Sequence, residues 1–499
     1  MLMGAHVHNQ EGYKHMRLGL FSFWLLAGLS LLCSPRISQA ADNTKQPNIL
    51  FILTEDQGAH LGYLNTPGLK TPNMDSLAAR GALFKHAFVA YPVCSASKAC
   101  IYTGRHNHDT GLINNTVNYH KPATKLTDAE LKNQLYRNNR IRSEIPTLVE
   151  CLSKAGYYQA TTHKLHVAPV EKFPYDEFLA NPNGRVFSNF LSRAKATGKP
   201  WFFLYNIAVT HRPFINSDKT AIRVKPQEVA LPVFLPDTPM VRKDWAEYLA
   251  SIEAGDTLVG EALAALEDSG EKGNTIVVFM GDHGPAFQHG KMTLYDLGLR
   301  VPLILAGPRI TAGLRNALAS ELDLLPTLLD LANITIPSGL HGVSLRAVLE
   351  NPKAESPRTF ATAEISHKGN LPNTGLQERA IFDTRWKLIY RENYEPAWRH
   401  IQADSMDPKP WGNRTYNETI RVKDASPESY RILQEFHPQA LGGKLLPVEL
   451  YDLAHDPDEI KNLAGKQEYA HEQQRLLSAL KTWSSDTGDV IMTSHKNQP

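Results

Sequence analysis

The chain has 499 residues, 42% of them hydrophobic, with 53 Lys and Arg against 51 Asp and Glu, a net charge of +2. That length allows one large domain and a smaller one with a sizeable core. So small a net charge excludes the broad basic field that tracks nucleic acid, and an anionic ligand must be met by locally placed cations.

The first predicted element is a targeting segment. Lys14 and Arg17 precede an apolar run over 18–32, and Ser38-Gln39-Ala40 supplies small residues for cleavage, so residues 1–40 read as a signal peptide and Met16 could serve as an alternative start. The run is too short for a membrane span, and no other stretch reaches about 20 consecutive apolar residues, so stable membrane insertion is not expected. Cys33 lacks the small preceding residue of a lipidation site. Beyond the leader stand Cys94, Cys100 and Cys151. An odd number of cysteines in an exported protein leaves at least one thiol unpaired, and that thiol needs a reason. Cys100 with Cys151 as a disulfide, or as two separate thiols, are both open.

From residue 47 the text is "PNILFILTEDQ": an uninterrupted apolar run over 49–53, suited to a central strand covered on both faces, ending on Glu55 and Asp56. A short helix follows Pro72 and stops at Gly81, and a strand over 83–89 leads to "YPVCSASKACIYTGRH", in which Cys94 stands at the start of a helix reaching 103. Further helices are predicted over 143–157, 243–266 and in "ELDLLPTLLDLANI". Trp245 and Tyr248 fall in the core of the second of these. Buried strands are predicted over 201–209, in "NTIVVFMGDHG" and in "VPLILAGP". After a Pro- and Asn-rich shift near 350–375, "RAIFDTRWKLIYR" alternates like an antiparallel pair, and a closing helix is predicted over 468–483. The architecture is a mostly parallel α/β domain over 46–355 followed by a smaller α+β part with an antiparallel sheet over 356–499.

Several strand ends deliver chemistry: Glu55 and Asp56, Cys94 and Lys98, Lys164 and His166, His211, Asp282 and His283, and Lys291. Each alone is weak, since a lone histidine near a strand end is more often a surface residue. Parallel strands, however, place their carboxyl ends on one edge, where open α/β sheets bind ligands. Carboxylates from Glu55, Asp56 and Asp282, with His283, suit one hard divalent cation. Lys98, Lys164 and Lys291 around it suit a tetrahedral oxyanion such as sulfate or phosphate.

At these residues the chain resembles the sulfatase family. "CSASKACIYTGR" is similar to the signature Cys-x-Pro-Ser-Arg followed by Leu-Thr-Gly-Arg, and "HKLHV", "VTHRPF", "GDHG", "GKMTLYDLGLRVPLI" and "ELYDLAHDPDEIKNLA" extend the resemblance over nearly the whole mature chain. "HKLHVAPVEKFPYD" and "LPVFLPDTPMVRKDWAEYLASIEAGD" resemble the heparan N-sulfatase branch in particular. The resemblance implies an alkaline phosphatase-like fold and a sulfohydrolase of a sulfated saccharide, with the N-sulfate of glucosamine in heparan or heparin fragments as the leading candidate.

It implies that a maturation enzyme oxidises Cys94 to formylglycine, whose hydrate attacks sulfur with the help of one calcium ion (Ca2+) held by Glu55, Asp56, Asp282, His283 and residue 94. By the same resemblance His211 or Lys291 protonates the leaving group, His166 helps to expel sulfate, and Lys98 and Lys164 hold the aldehyde hydrate and the sulfate. By analogy His367 and Lys368 would contact the sugar. The short leader fits bacterial export to the periplasm or beyond, or a lysosome in a eukaryotic cell.

Four positions depart from the family pattern: Glu55 replaces aspartate, His283 replaces asparagine, and Ala96 and Lys98 replace proline and arginine in the signature. Lysine keeps the charge but loses the planar fork. An O-sulfatase of another glycan, a phosphoester hydrolase of the same superfamily, and a degenerate member that binds sulfated glycan without turnover are the competing readings.

Overall fold

The computed structural model describes residues 45–214, 224–366, 377–392, 427–436 and 446–491. The leader, Cys33, His367 and Lys368 lie outside them. Eight strands form one sheet in the order β4-β3-β5-β1-β6-β7-β2-β8. They are β1 (Asn48–Thr54), β2 (Ala82–Phe88), β3 (Tyr158–Thr162), β4 (Glu177–Leu179), β5 (Trp201–Ile207), β6 (Thr275–Gly281), β7 (Leu303–Ala306) and β8 (Gly313–Ser320). All pairings are parallel except those of β7, which runs antiparallel to both β6 and β2. The mostly parallel α/β expectation therefore holds.

The central strands are apolar because both of their faces are covered. β1, β5 and β6 are buried along their whole lengths. On one face Ile49, Phe51 and Leu53 join a core with Phe202, Leu204 and Val278. On the other, Leu50 and Ile52 pack with Phe203, Tyr205 and Phe279. The covering helices include α1 (Pro72–Arg80), α2 (Cys94–Thr103), α3 (Leu148–Lys154), α4 (Gly184–Thr197), α5 (Pro239–Asp268) and α6 (Leu324–Leu331).

Three helix predictions need correction, the closing helix running on from 483 to Thr487, where Gly488 ends it. α3 is shorter than 143–157 because Thr147 caps it: its hydroxyl accepts from Glu150 N, and the Glu150 carboxylate accepts from Thr147 N. α5 is longer than 243–266, since Thr238 caps it and Pro239 opens its first turn.

A separate antiparallel sheet has the order β12-β11-β10-β9, formed by β9 (Ala361–Ile365), β10 (Gln377–Phe382), β11 (Trp386–Glu392) and β12 (Val448–Asp452). Helix α7 (Ala470–Thr487) packs on it through Leu476 and Leu480, beside Trp386 and Leu388. The three cysteines described are free thiols, with Cys94 and Cys100 buried. Among the described residues no helix is long and apolar enough to cross a membrane.

Candidate active site

The register of the sheet assembles the site. Thr54 pairs with Ile207 on one side and with Gly281 on the other, so Glu55-Asp56, the segment to His211, and Asp282-His283 leave the sheet together. Their backbones interlock: Glu55 N donates to Ile207 O, and Asp282 N donates to Thr54 O. Close packing at this edge requires glycine at 281, where a Cβ would stand 2.1 Å from Gln57 O. β3 delivers Lys164 and His166 to the same edge, and β2 leads into Cys94, the first residue of α2.

Cys94 Sγ lies 3.2 Å from His283 Nε2, 3.3 Å from Lys291 Nζ and 3.9 Å from Asp56 Oδ1. Burial alone would raise its thiol, but Lys164, Lys291 and His283 outweigh burial and hold it well below its ordinary value. The sulfur stands where a negatively charged group is stabilised. His283 Nδ1 donates to Gly284 O at 2.9 Å, fixing the ring. Burial would lower the imidazole, yet Asp282 and Cys94 carry it up to about 9.

The three acids are fully buried and partnered by lysines. Lys98 Nζ bridges Glu55 Oε1 at 2.6 Å and Asp282 Oδ2 at 2.7 Å. Lys164 Nζ takes Glu55 Oε2 at 2.6 Å, and Lys291 Nζ takes Asp56 Oδ1 at 2.9 Å. Against the cost of burial, Lys164 and Lys98 hold Glu55 well below the usual carboxylate range. His211 Nε2 stands 3.9 Å from Asp56 Oδ2, whose charge raises the imidazole. Of the sequence-predicted site residues, all ten that lie in the described segments meet at this edge.

Oxygens of Glu55, Asp56 and Asp282 lie within 4.8 Å of one another, as do donor atoms of Cys94, Asp282 and His283 and of Asp56, Cys94 and His211. Three hard carboxylates, dry and convergent, are a donor set that fits a divalent cation such as calcium, with His283 as a softer neighbour.

Comparison with known proteins matches the sulfatase family model to residues 47–334. The chain belongs to the sulfatase family. The model described as N-sulphoglucosamine sulphohydrolase, C-terminal, matches residues 281–424 of this sulfatase. Human N-sulphoglucosamine sulphohydrolase is 27% identical over 89% of this chain and 90% of its own length. An ulvan-active sulfatase of Formosa agariphila is 27% identical over 89% of this chain and 76% of its own. The fold matches a solved enzyme in complex with its substrate D-glucosamine-2-N,6-O-disulfate, with a TM-score of 0.62 and 19% identity, covering 89% of this chain and 99% of that one. The sulfatase and alkaline phosphatase-like expectations are thus borne out, and the chain is an enzyme of the sulfatase class.

Several residues that build the sulfatase site escape sequence reasoning. Ser97 Oγ reaches Asp282 O at 2.5 Å and Glu321 Oε2 at 2.7 Å. Asn206 Nδ2 donates to Lys164 O at 2.9 Å, and Thr210 Oγ1 donates to Glu55 O. Asn118 Oδ1 accepts from His166 N at 3.1 Å. Tyr248, expected only as core, also accepts from Gly58 N at 3.1 Å through its hydroxyl. Asn206 alone carried a signal, as a polar residue inside the apolar run "WFFLYNIAV".

Proposed function

We propose that this sulfatase removes sulfate from a sulfated amino sugar, specifically the N-sulfate of glucosamine in heparan or heparin fragments, outside the cytoplasm. The carrying observation is the convergence on Cys94 Sγ of His283 and Lys291, with Lys164 beside them, above a dry cluster of three carboxylates. Support for the sugar comes from the likeness to the human N-sulphoglucosamine sulphohydrolase and its C-terminal family model. On this reading residues 46–355 carry the chemistry and residues 356–499 form the smaller part.

Residue 94, once converted to formylglycine, would supply the hydroxyl nucleophile, and Glu55, Asp56, Asp282 and His283 would hold a calcium ion that would supply Lewis-acid polarisation. The chain's own residues do the rest. Lys164 and Lys291 present ammonium groups to the anionic sulfate in a site dry enough for charge to count. His211, with Nδ1 donating to Arg212 O, points Nε2 toward the site and gives its proton to the departing amine. His166, held by Asn118, takes a proton at residue 94 when sulfate is expelled. Lys98 bridges Glu55 and Asp282 and offsets part of their charge.

The ulvan-active relative, as similar as the human one, favours a second reading in which a polysaccharide O-sulfate is cleaved. A sulfate-release screen on N-sulfoglucosamine, 6-O-sulfoglucosamine, ulvan oligosaccharides and glucosamine 6-phosphate separates these. The proposal expects N-sulfoglucosamine to give the highest kcat/KM; preference for any of the others by tenfold or more overturns it.

A further inference from the structure

Next to the nucleophile cluster, Asn118, His163, Lys164, Val209, His211 and Arg212 wall a cavity of about 450 Å3. Lys164 and His211 belong both to this wall and to the site, through Glu55 and Asp56. The cavity therefore borders the site, with room for part of a molecule whose scissile group sits at residue 94.

Most polar groups of the wall are already committed. The Arg212 fork is spent on both Asp244 oxygens, at 2.9 and 2.7 Å, and on Ala286 O at 3.0 Å. Lys164 is held by Glu55. Asn118 and His163 differ. Asn118 Oδ1 accepts the His166 backbone N–H, a group that can only donate, so the amide orientation is fixed and its NH2 faces other partners. His163 Nδ1 lies 2.9 Å from Asn181 Oδ1; with that oxygen accepting, the proton is on Nδ1 and the Nε2 lone pair is left to accept.

The backbone adds an independent sign of use. His163 and His166 both adopt left-handed φ angles, 57° and 52°. A non-glycine residue there costs on the order of 1–3 kcal/mol, and such residues cluster at functional sites. Two of them flank Lys164, on the turn that presents one wall of the cavity.

We infer that Asn118 and His163 form a subsite for one hydroxyl of the sugar that bears the scissile sulfate, with His163 Nε2 accepting the hydroxyl proton and Asn118 Nδ2 donating to its oxygen. The subsite rests on the proposal that the substrate is a sulfated sugar. It selects a pyranose with that hydroxyl unsubstituted, because a methyl or sulfate there removes the proton that His163 accepts. A site built to bond a hydroxyl discriminates against analogues that lack it.

The test is a double-mutant cycle read by calorimetry in Cys94→Ala protein, which lacks the nucleophile and so leaves the sulfate in place. The probes are N-sulfoglucosamine and its monodeoxy analogues, and the variant is His163→Asn, since asparagine tolerates the left-handed backbone. One analogue is expected to bind about five- to tenfold more weakly than the parent sugar to the protein with His163, and equally well to the variant. No binding of the parent sugar defeats the functional proposal and this subsite together. Parent binding with the same deoxy penalties in the variant defeats the subsite alone, as does a variant that weakens every probe by one factor.

Discussion

Ser97 ties the nucleophile's helix to the end of β6. Its hydroxyl joins Asp282 O and the buried Glu321 carboxyl, which burial pushes up to about 8. Ser97→Ala leaves Glu321 short of a partner, and an unsatisfied buried group costs about 1–3 kcal/mol, so urea unfolding of the variant should show a loss of that size. Lys98→Met is expected to be worse. It leaves the fully buried Asp282 Oδ2 without its cation, and breaking a buried pair costs about 3–5 kcal/mol in the same measurement. At this scale the sequence showed the charged residues, because strand ends announce where side chains emerge. It could not show Ser97, whose carboxylate partner lies 224 positions away, nor Asn118, 48 positions from the His166 backbone it holds.

Among the elements, α5 acts as the buttress of the site. Tyr248 reaches from it to Gly58 and His60, just beyond Asp56, and Asp244 holds Arg212, the neighbour of His211. Arg212 also stacks over Phe214 and Phe287, at 4.3 and 4.6 Å. Arg212→Met keeps the apolar contact but takes the two-pronged guanidinium pair away from the buried Asp244 carboxylate; the expected result is a melting temperature lower by several degrees and a kcat reduced about tenfold through displacement of His211. Sequence periodicity reveals α5 because its apolar positions recur at helical spacing, but not its first turn, which Thr238 and Pro239 set by capping rather than by apolar spacing. β3 and β8 were missed for a different reason. "YQATT" and "GLRNALAS" carry polar residues whose partners come from tertiary packing, such as Gln159 Nε2 donating to Val149 O and Arg315 Nε donating to Val348 O.

In the whole molecule, the second sheet and α7 meet the α/β body at a histidine cluster. His106 stacks on His108, packs edge-on against Trp483 and donates its backbone N–H to His341 Nδ1. Burial holds His106 well below its ordinary value and takes His341 down to about 4, as it does His60 elsewhere. For these groups the unfolded chain binds protons first, so stability is full above about pH 6.5 and falls between there and about pH 4. His108 runs the other way. Glu364 outweighs its burial and raises it, so its contribution is present below pH 6.5 and fades as pH rises through its folded value. His211 and His283 oppose as His108 does, but with His86, His120 and His166 also lowered the lowered histidines outnumber the raised ones among the described residues, and the melting temperature should drop from pH 7 to pH 4.5, with His341→Asn flattening that slope; an unchanged slope argues against the cluster as its source. The most direct test of the central claim is the chemical state of residue 94 in protein from its native host, read by peptide mass spectrometry alongside sulfate release from N-sulfoglucosamine. The account predicts an aldehyde at residue 94 and turnover that vanishes in Cys94→Ala; a thiol at residue 94 in protein that releases sulfate, or an aldehyde in protein that releases none from any sulfated sugar, contradicts it.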